Sequence, residues 1–272
     1  MSKRIIPLVI ISLTSANGAF ADTRCVIDGK RVSLASITRM PFRTKEETLL
    51  TFKNAHECLL QNNDRRIVFL DVYWFLTEGL FKLPDRQHFN DLPWYTNLLI
   101  GTAERYRKSF YAYETGDFVS MPKVWKLTYD EYNSDRKESR PFDLLLGMNS
   151  HITYDIALTL VDIKTDFKNP GQYADFRSLN PYFTEITPNL WDIVEKYENG
   201  KHRGKFHRAW KGAVVNAWII HHRLNAWDNG EKLSAATFFG LNVDGFKQEL
   251  DEDATKRGKT FIFERPIIRL NQ

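Results

Sequence analysis

The chain has 272 residues, 43% of them hydrophobic and 26% charged. That balance is ordinary for a folded domain and excludes low-complexity disorder, a collagen repeat and a polytopic membrane protein. The formal net charge is only +4, with Lys and Arg interspersed among Asp and Glu; no long-range field steers a phosphate backbone, so no nucleic acid is expected as a partner.

Met1 to Arg4 is a short basic start, Ile5 to Leu13 is mostly apolar, and Ala19-Phe20-Ala21 places small residues where a signal peptidase reads. This is the pattern of a secretory signal peptide over residues 1–21, cleaved after Ala21. The apolar run is well short of the ~20 residues a transmembrane helix needs. No membrane span is expected, and the protein is expected to be exported, periplasmic or secreted. In an oxidising compartment the isolated pair Cys25 and Cys58 is expected to join as a disulfide. The alternative is one buried thiol and one in a mobile tail.

Asp28-Gly29 lies between short β-prone runs and suits a tight hairpin turn. Two strands alone are marginal, so this reads as a small appendage. Helices follow. Thr44 and Glu47 have the spacing of a capping box, opening a helix through Phe52, Ala55 and Leu59. A second helix is predicted from Asp64 to Lys82, stopping before Pro84. Pro93 can open a third and Gly116 end it. Pro122 begins a fourth, with Val124, Trp125 and Tyr129. The charged stretch 133–140 reads as a loop, and Phe142 to Ile163 as the most apolar helix. Lys168-Asn-Pro-Gly171 breaks the pattern. Further helices are predicted over Tyr182–Tyr197, Phe206–Trp227 and Ser234 to about Leu250, with Asn199-Gly200 and Asn229-Gly230 as turns. The tail from Thr260 to Arg269 reads as a strand or packed coil. The fold class is therefore all-α: one multi-helix, bundle-like domain over residues 22–272 with a small N-terminal β-hairpin.

The apolar helix 142–163 carries His151 and Asp155 at i and i+4, on one face, with Asn149 just upstream. Burying such groups is costly unless they find partners. Three roles are open. The groups can be structural, tied to one another and to nearby backbone. They can be catalytic, with Asp155 orienting His151 as a general base. Or His151 and Asp155 can share one divalent metal ion such as zinc; no cofactor is expected otherwise.

The segment Gly147-Met-Asn-Ser-His-Ile-Thr-Tyr-Asp-Ile-Ala-Leu158 resembles G-M-N-x-H-I-N-x-D-L-x-L of an uncharacterised bacterial family, domain of unknown function family 5995. The resemblance extends weakly from about Tyr73 to Trp227, including Arg105-Tyr106 and Trp125 after Pro122. Thr153 stands where the family segment has Asn. The resemblance implies an all-helical fold and a shared polar cluster at Asn149, His151 and Asp155, and carries no established activity. Helical zinc-dependent phospholipases and nucleases also use H-x-x-x-D, but with a second such pair, and here no other His has Asp or Glu at i+4.

Further candidates are ligand contacts. Arg105 can clamp an anion or pair with an acid. Trp125, Trp210 and Trp218 can line a pocket or form core. Asp71 and Glu78 can face one cleft. His221 shares a face with Val214 and Trp218 and is expected to point inward, with His222 facing water. No G-x-S-x-G elbow, Walker loop, Rossmann fingerprint or C-x-x-C occurs. The sequence thus leads to an exported helical protein, first read as a hydrolase using Asn149, His151 and Asp155. The alternatives are a protein binding a small apolar or amphipathic molecule without turnover, and a structural or partner-binding protein with an exposed apolar patch.

Overall fold

The hairpin forms as the Asp28-Gly29 turn dictates. Strands β1 (Arg24–Ile27) and β2 (Lys30–Ser33) pair antiparallel, with Ile27 opposite Lys30. Both turn residues have positive φ, 48° and 74°, the conformation such a two-residue connection requires. In this computed structural model the described residues are 23–134, 140–197 and 205–263. The leader 1–21, most of the loop at 133–140, the Asn199-Gly200 turn and the tail beyond Phe263 lie outside them. Cys25 on β1 and Cys58 are joined as a disulfide, with their Cα atoms 5.2 Å apart and a sequence separation of 33. Closing a loop of that length stabilises by about 4 kcal/mol in the chain-entropy model.

The short helix α1 (Leu34–Ile37) leads to α2 (Lys45–Gln61), which opens on the Thr44/Glu47 capping box. Helix α3 (Ile67–Lys82) follows, then α4 (Leu92–Thr115), with Pro93 in its first turn and Gly116 at its left-handed C-cap, φ 72°. Helix α5 (Lys123–Tyr132) has no side-chain cap of its own. Asp251, from the far end of the chain, accepts hydrogen bonds from the Lys123 and Val124 amides at 2.7 and 2.9 Å. A carboxylate there also complements the helix dipole.

The core helix is α6 (Arg140–Ser150), a π-helical turn over His151–Asp155, and α7 (Ile156–Asp162), running on as one piece. By length and apolarity this stretch could cross a membrane, but 83% of its most apolar window is buried inside the domain. Helices α3, α5 and α11 pack on α6, and α4 and α10 on α7. Helix α8 (Pro170–Ser178) and α9 (Asn180–Glu195) connect to α10 (Lys205–Phe238), and α11 (Val243–Phe263) returns along α5 and α6.

Two expectations need correction here. Asn229-Gly230 is not a turn: α10 runs straight through it. A Cβ on Gly230 would meet the Ala157 carbonyl oxygen at 3.2 Å and Leu160 Cβ at 3.3 Å. The glycine therefore serves close approach of α10 to α7, and the chain turns ten residues later at Gly240, φ 66°. Thr260 to Phe263 belong to α11, not to a strand or coil. The Asn169-Pro170 break also opens α8, with the Asn169 side chain accepting from the Gly171 amide at 2.8 Å. The α10–α11 connection leaves Phe238 and Phe239 84% and 70% exposed.

Candidate functional site

The His151 imidazole and the Asp155 carboxylate meet across the π-helical turn. Nδ1 of His151 lies 3.2 Å from Asp155 Oδ2. The indole Nε1 of Trp125 donates to both carboxylate oxygens, at 3.2 and 3.0 Å. Asp155 is 1% exposed and Trp125 fully buried. Burial raises the Asp155 carboxyl above the usual range, against the opposing pull of His151, Arg105 and Trp125. The order Trp125–Asp155–His151 holds the ring by its Nδ1 side. Among the described residues no group hydrogen-bonds its Nε2.

The ring of His151 lines an apolar cavity of about 80 Å³. Its centroid is 4.3 Å from that of Tyr73. The walls come from α3, α4, the core helix, α8, α9 and α10, with Val72, Leu76, Leu98, Ile152, Phe183 and Ile219 among them. Besides His151, the lining includes Thr77, Thr102 and Arg223. The Thr102 hydroxyl is used by the Leu99 carbonyl at 3.0 Å. Space of this kind holds several waters or a small ligand.

Hydroxyls bond back to the backbone within and on either side of the π-helical turn. Ser150, Thr153 and Thr159 each donate to the carbonyl four residues back, at 3.2, 2.6 and 2.8 Å. In the turn itself the Ile156 amide reaches the His151 carbonyl, five residues back. One-turn π-bulges of this kind concentrate at functional sites. Gly147 brings α6 against α3: a Cβ there would lie 2.4 Å from Cγ of Phe69, which lines the cavity.

The expected polar trio separates. Asn149, fully buried, donates to the Ala254 carbonyl at 2.8 Å and ties α6 to α11; its Oδ1 has no partner among the described residues. Two positions apart, Asn149 and His151 face different neighbours. Trp125 does not line the cavity; it holds Asp155. Arg105 pairs with Asp162 at the surface between α4 and α7. Asp71 does not share a cleft with Glu78. Its Oδ2 accepts from Tyr197 Oη at 2.7 Å and lies 3.8 Å from His56 Nε2. Burial pulls this carboxyl upward, but the hydrogen bonds from His56 and Tyr197 hold it below the usual range. Glu78 pairs with Lys82 in solvent.

His221 and His222 exchange the roles expected of them. His221 is exposed and meets Asn225 at 3.1 Å. His222 is half-buried, packed on Trp218 and 3.2 Å from Arg257 Nη1. It lines a polar cavity of about 70 Å³ with Thr153, Asn229 and Asp253. Burial lowers its pKa to about 4. The buried stripe of α10 runs through Ile219, Arg223, Ala226, Trp227 and Leu233, whereas Val214 is 51% exposed, so the face that His221 shares with Val214 turns outward. The side chain of Trp210 lies outside the described residues.

No third His, Cys, Asp or Glu joins His151 and Asp155 as a ligand set among the described residues. A metal there would have two protein donors, and both oxygens of Asp155 already accept from Trp125. Sequence reading missed Tyr73 as the wall beside His151, the π-helical turn and Arg223.

Together these features define an all-helical domain, stapled to an N-terminal hairpin, whose core helix presents a braced imidazole to an apolar cavity. The chain belongs to the family of unknown function DUF5995, which it matches over residues 46–263. No curated protein and no solved structure matches it.

Proposed function

We propose that the protein binds a small, largely apolar molecule in the cavity, with Nε2 of His151 as the polar contact. The observation that carries this reading is a histidine that lines an apolar space and has one ring nitrogen unused. Apolar walls with a few convergent polar groups are the usual make-up of ligand sites. Native mass spectrometry of protein recovered from the cells that make it tests the reading. A bound small molecule, lost when Ile152→Trp fills the cavity, is expected; protein that is empty, or whose ligand survives that substitution, contradicts it.

A second reading, hydrolysis with His151 as general base, is favoured by one feature: Asp155 fixes Nδ1, as a base-orienting carboxylate does. The lining supplies no serine or cysteine among the described residues, and this reading takes a water activated by Nε2 as the attacking group. Chemical change of the bound molecule by the wild type, but not by His151→Gln, would decide for this reading over simple binding. For location, we propose an oxidising compartment outside the cytoplasm. The Ala19-Phe20-Ala21 leader and the Cys25–Cys58 disulfide support it. N-terminal sequencing should begin at Asp22; a chain retaining Met1 with reduced cysteines would refute it.

A further inference from the structure

Arg223 is 3% exposed on α10 and lines the same cavity as His151. Among the described residues it is the only Arg, Lys, Asp or Glu in that lining. Its Nη1 donates to Asn180 Oδ1 at 2.9 Å and its Nη2 to the Phe176 carbonyl at 3.1 Å. The guanidinium lies 4.4 and 4.5 Å from the ring centroids of Phe176 and Phe183. Every one of these partners is neutral. No carboxylate pairs with Arg223 among the described residues.

The other two deeply buried arginines are treated differently. Arg66 is held by Asp64 and Glu114, and Arg107 by Glu104. A buried cation without a counter-charge is costly, and proteins ordinarily pair it. Amide, carbonyl and ring faces offset only part of that cost. Burial accordingly lowers the Arg223 pKa to about 9. A guanidinium presents its N–H donors in a rigid planar fork, which suits two-point recognition of a carboxylate.

Building on the cavity reading above, we infer that Arg223 is an anion anchor and that the ligand is a small monocarboxylic acid with an apolar body. The carboxylate supplies the missing counter-charge, and the aliphatic and aromatic walls take the body.

Calorimetric titration of the full-length protein with hexanoate and, separately, 1-hexanol tests this at neutral pH; benzoate and benzyl alcohol form a second pair. The acid of each pair should bind on the order of tenfold more tightly or better, the usual advantage of a charged hydrogen-bonded contact. Arg223→Met, shown folded by circular dichroism, should lose that preference and keep the alcohol's affinity. Should Arg223→Met not fold, Arg223→Lys, which keeps the charge but not the planar fork, should show a reduced preference. Alcohol binding as well as acid in the wild type overturns the anchor and leaves the cavity reading standing. Binding of none of the four overturns both.

Discussion

An indole N–H that reaches both oxygens of a buried carboxylate removes much of the reason for that carboxylate to be unstable there. Trp125→Phe deletes the donor to Asp155 and also part of a fully buried ring system, leaving the acid with fewer partners and a void beside it. The expected loss is about 1–3 kcal/mol, read as a lower urea midpoint; an unchanged midpoint would mean that the contact contributes nothing. His222 makes a pH-dependent prediction. Its pKa falls from 6.5 to about 4 on folding, so between those values the unfolded chain binds more protons. The contribution of neutral His222 is fully present above pH 6.5 and is lost as the pH falls toward 4. The melting-temperature gap between wild type and His222→Gln should therefore shrink over that window, and a constant gap would contradict the shift. At this scale the sequence revealed the His151–Asp155 pair, because i and i+4 share a helix face whatever surrounds them. It did not reveal Trp125 as the third member, since that contact joins separate helices. It did not single out Arg223, which the structure places with Ile219, Ala226 and Trp227 in the buried stripe of α10.

Two glycines show what decides an element. Gly147 reads as a weak point in a helix, yet its missing side chain lets Phe69 of α3 close on α6. Alanine is normally better than glycine inside a helix by about 1 kcal/mol. Here the added methyl would collide with Cβ, Cγ and Cδ2 of Phe69, at 2.8, 2.4 and 2.5 Å. Gly147→Ala should cost about 1–3 kcal/mol through overpacking, measured by chemical unfolding; a stabilised variant would show that the interface has room. Gly230 does the same for α10 against α7, and that is why the turn expected at Asn229-Gly230 became helix interior. Capping signals were legible because they are local: Thr44 with Glu47 behaves as its spacing requires. The cap of α5 was not, because Asp251 arrives from 127 and 128 residues away in sequence.

For the molecule as a whole, the class was readable from helical periodicity, and the hairpin from one dipeptide. The cavity was not, because it is the gap left where α3, α4, the core helix, α8, α9 and α10 fail to fill their common centre. No periodicity encodes such a gap. Its presence beside His151 explains how an imidazole can sit 7% exposed in an apolar helix with one nitrogen unpaired. A ligand that enters should raise the melting temperature, since binding to the folded state alone adds about 2.7 kcal/mol at a hundredfold excess over Kd. The most direct measurement is ¹⁵N NMR of histidine-labelled protein titrated with 1-hexanol. The Nε2 resonance of His151 should move as the cavity fills, with those of His56 and the exposed His221 unchanged. A ligand that raises the melting temperature while leaving His151 Nε2 unmoved would contradict the central claim, as would protein that takes up no ligand at all.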